Sequence, residues 1–161
     1  MMNETQDTSA TVELINEEAS LRFAVQLAVC INPPLVIAFN GELGTGKTTI
    51  IRAMLKTLGV QSAIKSPTFS LVESYLCHNI PIHHFDLYRI ASEDELEYLG
   101  FRDYFCEQSI CCIEWAEHAG RALPKIDIQF NLSIKGAGRT MQMDALTVAG
   151  KSILASLVGE L

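Results

Sequence analysis

Lys47 and Thr48 end the stretch Gly41-Glu42-Leu43-Gly44-Thr45-Gly46-Lys47-Thr48, which fits the phosphate-binding pattern G-x-x-x-x-G-K-[ST]. Each residue type has a physical task in that pattern. Glycines at 41, 44 and 46 let the backbone curl until successive N–H groups face one anion. A lysine at 47 reaches outer phosphates, and the hydroxyl of Thr48 suits Mg²⁺. Leu43, Gly44, Thr45, Gly46, Lys47, Thr48 and Thr49 are therefore the expected contacts of a nucleoside triphosphate. A phosphate loop also needs acidic partners for its metal, commonly at the end of another strand. Glu114 closes the apolar run Ile110 to Ile113, and Asp86 sits in His83-His84-Phe85-Asp86-Leu87-Tyr88-Arg89 toward the far end of a hairpin, so Thr48, Glu114 and Asp86 form the expected metal set. Thr68, in Ser66-Pro67-Thr68-Phe69, lies about 20 residues beyond the lysine, where nucleotide switches place a threonine that senses the γ-phosphate. Lys47, Asp86, Glu114 and Thr68 are the catalytic candidates.

The loop works only between a strand and a helix, and both flanks are present. Leu35-Val36-Ile37-Ala38-Phe39 is a continuous apolar run suited to a buried parallel strand. Ile50, Ile51, Met54, Leu55 and Leu58 recur at helical spacing, and Gly59 stands at the C-cap position. Upstream, Thr11 to Ile15 reads as a strand. Asn16 reads as the N-cap of a helix whose apolar face is Leu21, Ala24, Val25 and Ala28, ended by Pro33-Pro34. Downstream, Phe69 to Cys77 and Ile80 to Tyr88 form a hairpin around His78-Asn79. Ser92 and Glu95 have capping-box spacing, with Leu96 and Leu99 inward and Gly100 as the stop. Alternation from Lys125 to Ile134 marks a half-exposed antiparallel strand. Gly136-Ala137-Gly138 turns it into Arg139 to Val148, and Ile153, Leu154, Leu157 and Val158 mark a closing helix. The fold class is α/β: one P-loop domain over residues 11–161, with a parallel central sheet flanked by antiparallel strands and helices, behind a flexible N-terminus over residues 1–10.

Composition narrows the function classes. A chain of 161 residues with 48% hydrophobic and 19% charged content suits one globular domain. No apolar run approaches a membrane span and the first residues are not signal-like, so a cytoplasmic protein is expected. The five cysteines, Cys30, Cys77, Cys106, Cys111 and Cys112, lack C-x-x-C spacing and read as buried reduced thiols. Net charge is −7, with no basic stripe to grip DNA or RNA directly.

Taken in order, the phosphate loop, Ser66-Pro67-Thr68-Phe69, His84-x-Asp86-x-Tyr88-Arg89 and Glu114-Trp115 resemble the bacterial TsaE (YjeE) family. The resemblance runs from about Thr11 to the last strand, and the three later motifs make it specific. It implies the ATPase component of the machinery that makes threonylcarbamoyladenosine on tRNA. It implies ATP or ADP with Mg²⁺ at Lys47 and Thr48, and Asp86 and Glu114 near the metal and attacking water. It further implies action with TsaB and TsaD, with tRNA met only through that complex. Ser66, Pro67, Thr68 and Trp115 are candidates for the switch or the partner surface, and the base is expected under either the N-terminal strand, at Thr11, or the Gly136 to Arg139 turn.

Other classes share the loop. A small-molecule kinase would close an arginine-bearing lid over the phosphates to exclude water. The stretch after Glu114 offers only Arg121 for that. A GTPase would carry an Asn-Lys-x-Asp segment, which is absent from the sequence. A nucleotide-dependent binding module, in which ATP orders the Thr68 loop and hydrolysis is incidental, is the third class.

Overall fold

The computed structural model describes residues 7–160. The chain alternates strands and helices: β1 (Ser9–Leu14), α1 (Glu17–Cys30), β2 (Leu35–Asn40), α2 (Lys47–Leu58), β3 (Val72–Cys77), β4 (Ile80–Asp86), α3 (Glu93–Tyr98), β5 (Ile110–Glu114), β6 (Ile128–Lys135), β7 (Gly138–Ala145) and α4 (Val148–Glu160). Short 3-10 segments cover Phe101–Tyr104 and Ala116–Ala122. The strands form one sheet in the order β1-β7-β6-β2-β5-β4-β3. Strands β6, β2, β5 and β4 run parallel, and the antiparallel pairs β1–β7, β7–β6 and β4–β3 extend the sheet on both sides. The expected α/β class, parallel at the centre and antiparallel at the flanks, is the observed one.

The sheet's centre is dry because its strands are covered twice. Every residue of β5 is buried, as the unbroken run Ile110-Cys111-Cys112-Ile113 requires. On one face Ile37, Phe39, Cys112 and Phe130 pack under Phe23 and Leu27 of α1, Ile50, Ile51 and Met54 of α2, and Leu154 and Leu157 of α4. On the other face Ala38, Phe85, Cys111 and Ile113 pack under Leu96 of α3, Phe101 and Ala119. This clamps the ends of β2, β4 and β5 side by side: Phe39 is opposite Glu114, and Glu114 is opposite Asp86.

Local rules explain most boundaries. Asn16 Oδ1 accepts from Ala19 N at 2.9 Å, opening α1 as its N-cap. Gly59, at φ 102°, ends α2 in the left-handed region that glycine tolerates. His78 and Asn79 both have positive φ, which gives a two-residue hairpin the twist its strands need.

Other readings are corrected. Residues 1–6 of the expected loose segment lie outside the described chain, while Ser9 and Ala10 belong to β1 and pair with Asp144 and Met143. The inward face of α1 is Phe23, Ala24, Leu27 and Ala28; Leu21 and Val25 are exposed. Strand β3 starts at Val72, because Pro67 to Ser70 form a turn, and β4 ends at Asp86. Ser92 is the N-cap of α3 but makes no side-chain capping bond among the described residues, and Leu99 is half exposed. Strand β6 is antiparallel only to β7, since its other edge runs parallel to β2. Val158 is likewise half exposed, and Cys106 is exposed while Cys77, Cys111 and Cys112 are buried. Among the described residues no helix is long and apolar enough to cross a membrane.

Candidate functional site

The phosphate loop begins where β2 leaves the sheet. Gly41 has φ 146°, and a Cβ there would sit 2.6 Å from the Leu132 carbonyl, so only glycine lets the loop pass β6 this closely. Gly46 precedes α2 with φ 97° and offers no side-chain cap, so the first N–H groups of the helix face outward uncapped. Thr45 folds inward, its hydroxyl donating to the Glu42 carbonyl at 2.9 Å. Arg139 clamps the loop from β7, donating through Nε to the Thr45 carbonyl at 3.1 Å and through Nη2 to the Gly44 carbonyl at 3.0 Å. Those bonds occupy loop carbonyls and leave the N–H side for an anion.

Lys47 and Thr48 open α2 at the floor of the site. Lys47 is only 5% exposed. Its ammonium donates to the Gly41 carbonyl and, at 3.1 Å, to the Glu42 carbonyl. It also lies 4.6 Å from the centroid of the Trp115 ring. Burial pushes the Lys47 pKa below the usual lysine value, opposed by the charges of Glu114, Asp86, Glu117 and Glu42. The Thr48 hydroxyl points across to β5 and donates to both oxygens of Glu114, at 2.9 and 3.0 Å. Loop and strand end, 66 residues apart in sequence, therefore meet at one carboxylate.

Asp86 is next to Glu114 across the β4–β5 register. Its Oδ1 accepts from Tyr88 N at 3.1 Å, while its own N donates to the Leu71 carbonyl at 3.0 Å. Burial raises the Asp86 carboxyl above the usual aspartate value, and the nearby Glu114 charge pushes it the same way. The Tyr88 N–H, His84 and Lys47 oppose that rise. Asp86, Glu114 and the Thr48 hydroxyl are all hard oxygen donors, the kind Mg²⁺ takes. Among the described residues no group of three His, Cys, Asp or Glu side chains can hold a metal alone.

The remaining candidates divide. One cleft of about 340 Å³ is lined by Leu43 through Thr49 together with Thr68, Asp86, Tyr88, Arg89, Glu114 and Trp115. Thr68 thus reaches the site from a different loop; its hydroxyl is 2.8 Å from that of Ser66. Ser66 and Pro67 support that loop without lining the cleft, Pro67 being buried and its carbonyl accepting from Leu71 N at 2.8 Å. Trp115, weighed as an exposed partner contact, is half-buried between the Lys47 ammonium, Tyr88 and His118. Its left-handed backbone, φ 58°, is costly for a bulky residue and turns the ring under the lysine. Thr11 lines neither this cleft nor the adjoining one; it is exposed in mid-β1, opposite Gln142.

Residues missed from the sequence complete the picture. A second cleft of about 450 Å³ shares Gly44, Thr45, Gly46 and Thr49 and continues over Asn16, Glu17, Ser20, Gly138 and Arg139. Asn16 reads from sequence as a cap and nothing more, since its place beside the loop is set by the packing of α1 on α2. Arg139 belongs to the Gly136 to Arg139 turn, one of the two places expected to cover the base, and it lines this cleft; only its clamp on the loop carbonyls is unreadable from sequence. His84, fully buried, places Nε2 2.7 Å from Glu114 Oε2. Alternation along β4 puts it on the opposite face from His83, but does not tell what it meets.

The family model described as threonylcarbamoyl adenosine biosynthesis protein TsaE matches residues 14–143. The Haemophilus influenzae tRNA threonylcarbamoyladenosine biosynthesis protein TsaE is 40% identical over 153 residues, covering 92% of this chain and 97% of that one. The Bacillus subtilis protein of the same name is 35% identical over 136 residues, 84% of each chain. Among solved structures, that of Bacillus subtilis YdiB superposes with a TM-score of 0.78 at 25% identity, covering 94% of this chain and 95% of that one.

Proposed function

This chain belongs to the TsaE family, and on that premise we propose that it is a Mg²⁺-dependent ATPase serving threonylcarbamoyladenosine formation in tRNA. The observation that carries the reading is the Thr48–Glu114 hydrogen bond. It joins the end of the phosphate loop to a strand-end carboxylate in a cleft that also holds Lys47, Asp86 and Thr68.

The residues divide the work. The loop N–H groups and the start of α2 cradle the phosphates, and Lys47 exchanges its carbonyl partners for outer phosphate oxygens. Thr48 and Glu114 would hold Mg²⁺, which when bound offsets charge on the phosphate oxygens. Asp86, oriented by the Tyr88 N–H, supplies a second carboxylate to hold the attacking water. Thr68 meets the γ-phosphate, and its loop is tied to β4 through the Leu71 carbonyl and Asp86 N–H. Arg139 with Asn16, Glu17 and Ser20 bounds the side toward ribose and base. Arg121 is exposed and lines neither cleft, so the kinase reading gains no lid from it.

A net charge of −7 suits an accessory ATPase that leaves tRNA to its partners, TsaB and TsaD, in the cytoplasm. Phosphate release measured with the purified chain, then with TsaB, TsaD and tRNA added, tests this. Slow turnover alone that rises in the assembly is expected. Phosphate transfer to a small metabolite, or turnover indifferent to the partners, contradicts it.

A further inference from the structure

His84 carries no role in the account so far, yet it is the most deeply buried polar side chain beside the cleft. It lies on β4 with Ile82 and Asp86 on the same side of the strand, between the apolar core and the carboxylates. Its register partner on β5 is Cys112, two residues before Glu114, so the imidazole approaches Glu114 from the core side. Nε2 stands 2.7 Å from Glu114 Oε2, while Nδ1 is buried and has no hydrogen-bond partner among the described residues. An ionised carboxylate only accepts, so the proton of this bond is on Nε2. A buried ring with one nitrogen unsatisfied is a poor choice for packing alone, since an apolar side chain would fill the space without that penalty.

The bond matters because of what else Glu114 holds. The Thr48 hydroxyl donates to both Glu114 oxygens from the cleft side. Once that hydroxyl turns an oxygen lone pair to a cation, the imidazole is the donor that still fixes the carboxylate plane. Residues that orient a ligating side chain through its second atom tune metal affinity in this way. We propose that His84 is a positioning residue, holding Oε2 of Glu114 from the core side so that Oε1 faces the Mg²⁺–phosphate cleft. The inference rests on the Mg²⁺–nucleotide reading of the cleft.

Two measurements on the full chain test it. The first uses the native protein: ¹⁵N NMR of the His84 ring, with ADP added and then Mg²⁺. The proton should reside on Nε2, and its resonance should move when Mg²⁺ joins the ADP complex but not with ADP alone. A ring resonance indifferent to Mg²⁺ overturns the proposal.

The second compares H84L with H84Q, whose amide nitrogen can replace Nε2. Both should bind ADP in chelator as the native chain does. H84L should need about 10-fold more Mg²⁺ to tighten ADP binding, and H84Q should recover most of that loss. Equal Mg²⁺ dependence in all three proteins overturns the positioning role. Failure of the native chain to bind ADP at all would instead sink the nucleotide reading, so the two failures are distinguishable.

Discussion

At the residue scale the site separates charge sensing from charge holding. Thr68 lines the cleft from its own loop, whereas Thr48 is engaged with Glu114. Thr68→Ala should therefore leave ADP affinity nearly unchanged and weaken ATP by about 10-fold, the loss of one hydrogen bond to a charged group. Equal losses for both nucleotides, measured by titration, would deny it a γ-phosphate role. Histidine 83, one residue before the buried His84, behaves differently. Its Nδ1 is 2.7 Å from the Ser74 hydroxyl and its ring packs on Tyr104. Burial holds its pKa below the usual histidine value. The folded chain thus resists protonation there, and between the lowered and ordinary values the unfolded chain binds more protons. This contribution to stability falls as pH drops across that window and is constant below it. Urea unfolding of His83→Gln should consequently lose less stability than the native chain between about pH 8 and about pH 5. An identical pH slope would show that the ring is not felt. Alternation along a strand is enough to put the neighbours His83 and His84 on opposite faces. It did not tell which carboxylate His84 would meet, because that depends on the β4–β5 register.

At the element scale, joints rather than spans decide what sequence can and cannot tell. Helix α1 carries two overlapping apolar stripes. One runs through Leu21, Ala24, Val25 and Ala28; the other runs through Phe23, Ala24, Leu27 and Ala28, and the second is buried. Periodicity permits either stripe; contact with Phe130 and the inner face of α4 selects Phe23 and Leu27. Strand β6 looked antiparallel because it alternates, yet alternation reports one exposed edge and not the direction of a neighbour. The start of α4 shows how tight such a joint is. Asp127 accepts from Val36 N at 2.9 Å and from the Thr147 hydroxyl at 2.6 Å, and Gly150 N donates to that hydroxyl at 3.1 Å. A Cβ on Gly150 would fall inside contact distance of the Asp127 carbonyl, which is backbone and cannot swing away. Alanine is favoured over glycine in a free helix by about 1 kcal/mol. Here the clash should win, and Gly150→Ala should cost about 1–3 kcal/mol in chemical denaturation. A stabilised variant would show that α4 is not seated this closely.

At the scale of the whole molecule, the sheet order gathers the site. Placing β2 between β6 and β5 sets the phosphate loop beside Glu114, and placing β4 next sets Asp86 beside both. The loop, the carboxylates and Thr68 were legible because each has a residue type and spacing tied to its chemistry. The Gly136 to Arg139 turn was legible as a candidate cover for the base, but the Arg139 clamp and the α1 start were not, since they reach the loop only through the antiparallel flank and helix packing. Thr11 lines neither cleft, because its strand, near the loop in sequence order, lies at the edge of the sheet.

The most direct test is phosphate release from ATP with Mg²⁺ by the native chain and by Glu114→Gln, with ATP affinity measured beside it. Glu114→Gln should still bind ATP but turn over about 100-fold more slowly or worse. Equal turnover in the two proteins, or no ATP binding by the native chain, would contradict it.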